Sequence, residues 1–497
     1  MKQIRYYSTN NKAEQANFET ALMNGLASNY GLYMIPRENI PKVAPSVIRA
    51  MRRMAYHEMA LEVLHPFLWE EISRTDLADL LLDAYDGRVI PTEVRLVTGR
   101  THIMWLSHGP TYSFKDYAAR FFARMLSYFL KKSGLRRVVV VATSGDTGGA
   151  VADALHGLDG VDNLVFFPKG SITERQRRQM TTLGGNVYAF EVNGDFDVCQ
   201  ALAKRILGDK RLAEIVFGDR DRFTSANSIS IGRLLPQAVY PFFAYSRVAE
   251  YGEPMIASVP SGNFGDMMGT VLAREMGLPI GKILCGVNEN REFPDFLTTG
   301  RYVVKPSVRS PSSAMIVSNP SNFARLVDLY GGRVYDERDA GGKVIREGVM
   351  EIEPDMNAMR DAFFSIWVSN PDHYRVMKEV YDRFGIVIEP HGAVGWRVLD
   401  HFLDGIHDRL SVIYETADPG KFPDEIRAAI GITPKVPDRM IAQANLEERI
   451  FTVEEAPHVK DDGTASLSDT QYRAATEIIK DIFQAGPGQS LTKLSLE

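Results

Sequence analysis

Residues 136–149 read RRVVVVATSGDTGG. Four consecutive valines leave no polar face, so 136–143 is expected to be a strand buried on both sides, the mark of a parallel sheet. The chain then turns on Ser144-Gly145 and enters an amphipathic stretch, 146–156, that predicts a helix. The alternation continues outward as strand 161–167, helix 173–183 and strand 186–192. It resumes as strand 255–259, helix 264–276 and strand 282–287. Parallel neighbours need crossover helices, and these segments supply them. Helices over 359–384 and 393–403 follow, with 410–416 expected as the final strand.

Around this block, 13–92 is more helical and reads as a separate N-terminal unit, running from a helix at 18–26 to one at 77–85. The expected divisions are 1–95, a catalytic α/β region at 96–435 in two interleaved lobes, and a C-terminal extension at 436–497. Residues 301–355, rich in Ser, Pro, Gly and Arg, read as an irregular insertion, and the tail from 485 as poorly ordered. With 497 residues, 45% hydrophobic and 24% charged, the chain can bury large cores, which excludes wholesale disorder. The balance of 57 Lys+Arg against 63 Asp+Glu gives −6. Without a basic stripe that argues against a nucleic-acid partner, and Arg175, Arg177 and Arg178 read as a solvated helix face.

Cys199 and Cys285 are too few for a disulfide framework or a Cys-rich zinc site, and no H-E-x-x-H occurs, so no metal is expected. The opening residues are polar and 121–130 is interrupted by Arg124, so neither a signal peptide nor a membrane span is read. A cytoplasmic enzyme is the expectation.

Two Gly- and Ser-rich turns follow strands, where open α/β sheets hold ligands. Ser144-Gly145-Asp146-Thr147 and Ser261-Gly262-Asn263-Phe264-Gly265-Asp266 each lead into a helix N-terminus, which suits an anion. Either could also be a plain turn needing positive φ. G-x-G-x-x-G and GK[ST] are both missing, which removes the dinucleotide and NTP readings. A third segment, Ser107-His108-Gly109-Pro110-Thr111-Tyr112-Ser113-Phe114-Lys115-Asp116, delivers a lysine to a helix start, where the dipole opposes it. It is either a solvated terminal lysine or one desolvated beside Phe114 and able to form a Schiff base. A lysine with two anion loops suggests pyridoxal phosphate, one loop taking the cofactor phosphate and the other an amino-acid carboxylate.

These segments, together with Asn227-Ser228, Arg233, Thr416-Ala417-Asp418-Pro419-Gly420-Lys421-Phe422 and the N-terminal 18–36, resemble the threonine synthase family of fold-type II pyridoxal-phosphate enzymes. The resemblance runs to about residue 430, with 301–355 and the tail poorly matched. It implies two parallel-sheet α/β domains around a cleft, plus an N-terminal mainly helical unit. It implies that Lys115 holds the cofactor and moves protons, with Phe114 beside the ring. Gly262, Asn263, Phe264 and Gly265 would bind the cofactor phosphate, with Asp266 on the same loop, and Thr416 would face the pyridine nitrogen. Ser144, Gly145, Asp146 and Thr147 would hold the substrate carboxylate and flank the cofactor's 3′ oxygen. Asn227, Ser228 and Arg233 would receive the substrate phosphate. Asp418 departs from the family, which often has histidine there. The implied reaction converts O-phospho-L-homoserine and water into L-threonine and phosphate, the last step of threonine biosynthesis, in a monomer or homodimer.

A phospho-lyase releasing a keto acid would use the same residues, and a non-catalytic cofactor-binding homologue would be expected to lack Lys115 or a loop. The 146–183 segments are expected to form a smaller lobe able to move over substrate. His391 reads as a helix-start residue satisfied by backbone, and Asn319 or Ser321 as the N-cap of a helix at 323–329. Lys169 is either a surface lysine or an anion contact. The Met and Phe residues of 121–129 read as core.

Overall fold

The four valines do form a strand, Arg137–Ala142, and Val138 to Val141 are fully buried in the computed structural model, which describes residues 3–339, 344–459 and 465–484. The poorly ordered tail expected from 485 lies outside the described residues. The chain divides into two compact units: one runs to Phe129 and resumes over Ala226–Ala444, and the other is Leu130–Ser225 with the chain from Asn445.

The first unit carries a six-stranded sheet in the order Phe363–Trp367, Ile280–Val287, Met255–Pro260, Ser411–Glu415, Thr101–Trp105, Glu93–Thr98. Five of these strands are parallel and Glu93–Thr98 closes one edge antiparallel. Ile103, Ile256, Leu284 and Ile413 pack beneath Trp396 and Leu399 of helix Pro390–Phe402. A small antiparallel sheet of Asn11–Ala16, Tyr6–Ser8 and Tyr33–Met34 was not expected, because 13–92 read as mainly helical. Tyr6–Ser8 and Tyr33–Met34 are too short to show a period, and the mostly exposed Asn11–Ala16 carries no apolar alternation.

The second unit is a five-stranded parallel sheet, Ile450–Val453, Val187–Val192, Val161–Pro168, Arg137–Ala142, Phe223–Ser225. Ile450–Val453 corrects the expectation that 410–416 ends the strand series. Within 359–384, the strand Phe363–Trp367 separates helix Met356–Ala362 from helix Asn370–Phe384. Residues 301–355 are less irregular than expected, since they hold helix Phe323–Leu329 and a hairpin of Arg333–Arg338 with Val344–Ile352. Helix Lys115–Ser133 buries Tyr117, Phe121, Phe122, Met125, Leu126 and Phe129, so these residues are core.

Candidate active site

Within the first unit, Pro260, Glu415 and Trp105 end three adjacent parallel strands, with Ser258 opposite Ile413 and Glu415 opposite Trp105. Backbone bonds stitch two of the following loops together. Leu106 donates to the Glu415 carbonyl at 3.0 Å, Phe114 to Thr416 at 2.8 Å, and Asp418 to Tyr112 at 3.0 Å. Lys115, the first residue of its helix, is thereby set beside Thr416, with its Nζ 4.6 Å from the Phe114 ring centroid. The next residue, Asp116, is buried and accepts from the Thr111 N–H at 2.9 Å and its hydroxyl at 2.5 Å. A Cβ on Gly109 would lie 2.5 Å from the same carboxyl, so the turn needs glycine there. Buried Lys421 donates to the Thr111 carbonyl at 2.9 Å. Tyr112 stands at φ 59°, a strained value for a bulky residue and one met at functional sites.

The loop after Pro260 turns through Phe264 at φ 60° into helix Gly265–Glu275. A Cβ on Gly262 would lie 2.9 Å from the Ala314 carbonyl oxygen, and one on Gly265 would lie 2.9 Å from Gln237 Nε2. Only glycines fit this close-packed cradle at a helix N-terminus, which suits a phosphate. Asp266 faces inward, accepting from the Ser261 hydroxyl and from the Met267 N–H at 2.9 Å. Burial raises its pKa, opposed by those two bonds and by the charge of Lys115. It braces the loop from within.

Thr416 is 4% exposed. Behind it Glu415 is fully buried, accepts from the Glu389 N–H at 3.0 Å, and has no partner for Oε2 among the described residues. Burial, then the Glu389 charge, holds the Glu415 carboxyl well above its ordinary 4.5. The native state therefore keeps a proton that the unfolded chain releases, and stability falls as pH rises above 4.5 toward the folded value. The contribution is up to about 1.4 kcal/mol per pH unit. Glu415→Gln, permanently neutral, should flatten that slope. Urea unfolding of both proteins from pH 5 to 8 checks this, and parallel pH profiles would reject a neutral Glu415.

Arg233 is 4% exposed, in the short helix Ile231–Leu234. It donates to the Ala226 carbonyl at 2.6 Å, and its Nε–H has no partner among the described residues. Burial lowers it to about 10, against the opposing pull of Asp116. Asn227 and Ser228 are half-buried and lie just ahead of that short helix.

In the second unit, Thr143 Oγ1 accepts from the Gly145 and Gly148 N–H groups at 2.9 and 2.8 Å, fixing the turn into helix Asp146–Leu155. Ser144 and Thr147 are half-buried, whereas Asp146 is buried and accepts from Gln176 Nε2 at 2.9 Å. Sequence reasoning missed Gln176, although Thr173 and Gln176 form a legible capping box. Lys169 pairs with Glu454 at 3.0 Å on the surface. Arg177 and Arg178 are not merely solvated: Arg177 holds Glu448 through two bonds of 2.9 Å, and Arg178 reaches the Leu446 carbonyl at 3.2 Å.

His391 is satisfied by more than backbone. Its Nδ1–H donates to Glu389 at 2.5 Å and its Nε2 accepts from the Ala314 N–H at 3.1 Å. The N-cap reading of Asn319 and Ser321 is corrected, because the cap of Phe323–Leu329 is Asn322, and its side chain caps nothing. Ser321 instead donates its N–H and its hydroxyl to Asn263 Oδ1, both at 3.2 Å, and Asn319 donates to Asp336 at 3.0 Å. Arg325, fully buried beside Asn322, had no signal in sequence.

Among the described residues no helix is long and apolar enough to cross a membrane. Comparison with known proteins adds three family models: threonine synthase N terminus over residues 5–85, pyridoxal-phosphate dependent enzyme over 101–343, and threonine synthase, C-terminal, over 392–461. The threonine synthase of Pseudomonas aeruginosa is 35% identical over 462 residues, covering 90% of this chain and 95% of that one. That of Escherichia coli is 32% identical over 444 residues, covering 89% and 95%. The crystal structure of pyridoxal-phosphate-bound threonine synthase from Brucella melitensis matches with a TM-score of 0.83 at 29% identity, covering 97% of this chain and all of that one. The yeast threonine synthase structure gives 0.81 at 28%, covering 97% and 98%. With its parallel α/β sheets, the chain belongs to the threonine synthase family of fold-type II pyridoxal-phosphate-dependent enzymes.

Proposed function

We propose that this chain converts O-phospho-L-homoserine and water into L-threonine and phosphate. The observation that carries the reading is the meeting of Lys115, the 261–266 glycine cradle and Thr416 at the ends of adjacent strands, with Arg233 in the same unit. When bound, pyridoxal phosphate supplies the electron sink that makes protons on the substrate carbons acidic.

Everything else falls to the residues. Gly262, Asn263, Phe264 and Gly265 hold the cofactor phosphate with backbone N–H groups and a helix dipole. Thr416 offers the pyridine nitrogen a neutral hydroxyl, which does not enforce its protonation. Lys115 anchors the cofactor beside Phe114 and moves protons at Cα and then Cβ, because the leaving group sits on Cγ and both carbons must be worked in turn. The Arg233 fork, with Asn227 and Ser228, holds the substrate phosphate before and after the Cγ–O bond breaks. Ser144, Gly145 and Thr147 take the carboxylate, on a turn whose shape Asp146 and Gln176 brace.

The test is to incubate the protein with pyridoxal phosphate and O-phospho-L-homoserine and to measure phosphate and amino-acid products together. Equal phosphate and threonine is the expected result. Phosphate with a keto acid would make the enzyme a lyase, and no phosphate from cofactor-loaded protein would sink the substrate assignment.

A further inference from the structure

Two segments that the proposed function assigns to different phosphates are joined by one side chain. Asn322 Nδ2 donates to the Asn263 carbonyl at 2.9 Å and to the Ser228 carbonyl at 3.3 Å. Its Oδ1 accepts from Arg325 Nη1 at 2.6 Å. Arginine has no acceptor, so this bond fixes which end of the amide faces which neighbour. Arg325 spreads its other donors over the Ile229 carbonyl at 2.6 Å, the Tyr33 carbonyl at 3.0 Å and the Ser228 carbonyl at 3.3 Å.

Both residues are fully buried. Every partner of Arg325 among the described residues is a neutral oxygen, and burial alone pulls it down to about 9. A buried cation without a carboxylate is costly, and its field favours anions bound close by. Their helix also packs Phe323 against Phe264, ring centroids 6.5 Å apart.

We propose that Asn322 and Arg325 are positioning residues that lock the cofactor-phosphate loop at Asn263 and the substrate-phosphate segment at Ser228–Ile229 into one register. The inference rests on the assignments under the proposed function. It adds that the two phosphate sites are built as a unit, so damage to the clamp weakens both. The small N-terminal sheet joins the same unit through Tyr33 and through the Tyr7 hydroxyl, which donates to Asp328 on the clamp helix.

Asn322→Asp keeps the shape and the Arg325 bond but turns an acceptor toward two carbonyls, while Arg325→Lys keeps the charge and loses the fork. Pyridoxal phosphate is titrated into apo-protein, and inorganic phosphate into cofactor-loaded protein, for wild type and both variants. Both dissociation constants should rise about tenfold, the equivalent of one charge-assisted hydrogen bond. KM for O-phospho-L-homoserine should rise with them, while kcat falls by no more than about threefold, because no reacting atom loses a contact. A lowered melting temperature with both constants unchanged in either folded variant overturns the proposal, and so does a rise in the cofactor constant alone. Should wild type bind cofactor and phosphate yet turn over no phosphohomoserine, the substrate reading fails while the two titrations still decide the clamp.

Discussion

Lys115→Ala is expected to fold, to bind pyridoxal phosphate without a covalent link, and to form threonine at least about a thousandfold more slowly than wild type. Folding should survive, because the substitution removes a cation from a helix N-terminus, where the dipole opposes it, and installs the best helix former. The cofactor should still bind, since the proposed assignment gives its phosphate to the 262–265 backbone and its ring nitrogen to Thr416, neither of which the substitution touches. What disappears is the amine that the stitched 106–115 and 416–418 loops set beside Thr416. Borohydride treatment followed by mass spectrometry should fix cofactor to wild type and leave the variant unmodified. A variant that kept more than about a tenth of the activity, or that still fixed the cofactor, would remove Lys115 from the centre of the chemistry.

Much of this arrangement is legible in sequence because it is local. A run such as Val138 to Val141 has one way to be buried, and a glycine turn after it marks a strand end. What escaped depends on distant partners. Ile450–Val453 is four residues long and becomes a strand only by pairing with Val187–Val192. Phe363–Trp367 lies between two helices and reads as part of them until it is laid against Ile283 to Val287. Local rules, the only rules a sequence exposes, put the helix cap at Asn319 or Ser321 and pass over Asn322. Its amide partners lie 59 and 94 residues away. The bland reading of Arg177 failed for the same reason, since Glu448 is 271 residues off. Motif residues that present backbone or a single side chain to a ligand are readable; the buried polar groups that hold those motifs in place are not.

Replacing Arg233 should produce the second large effect, and it should fall on the substrate alone. The guanidinium spends one N–H on the Ala226 carbonyl and keeps a buried Nε–H without a partner among the described residues. A buried unsatisfied donor costs about 1–3 kcal/mol, a cost that a site retains when a ligand satisfies it. A phosphate dianion meets the remaining donors in the fork geometry an arginine offers. Removing one member of such a desolvated charged pair costs about 2–5 kcal/mol, or roughly 30- to 4,000-fold in KM. Arg233→Gln should show that loss for O-phospho-L-homoserine while cofactor affinity stays within about twofold, since among the described residues the Arg233 side chain hydrogen-bonds to the Ala226 carbonyl and not to the 262–265 backbone. Arg233→Lys, which keeps a point charge without the fork, should recover part of it. The split between KM and cofactor affinity carries the test. Loss of the Asp116 partnership alone would lower the melting temperature without moving KM, and that outcome would make Arg233 a core cation rather than the substrate's phosphate anchor.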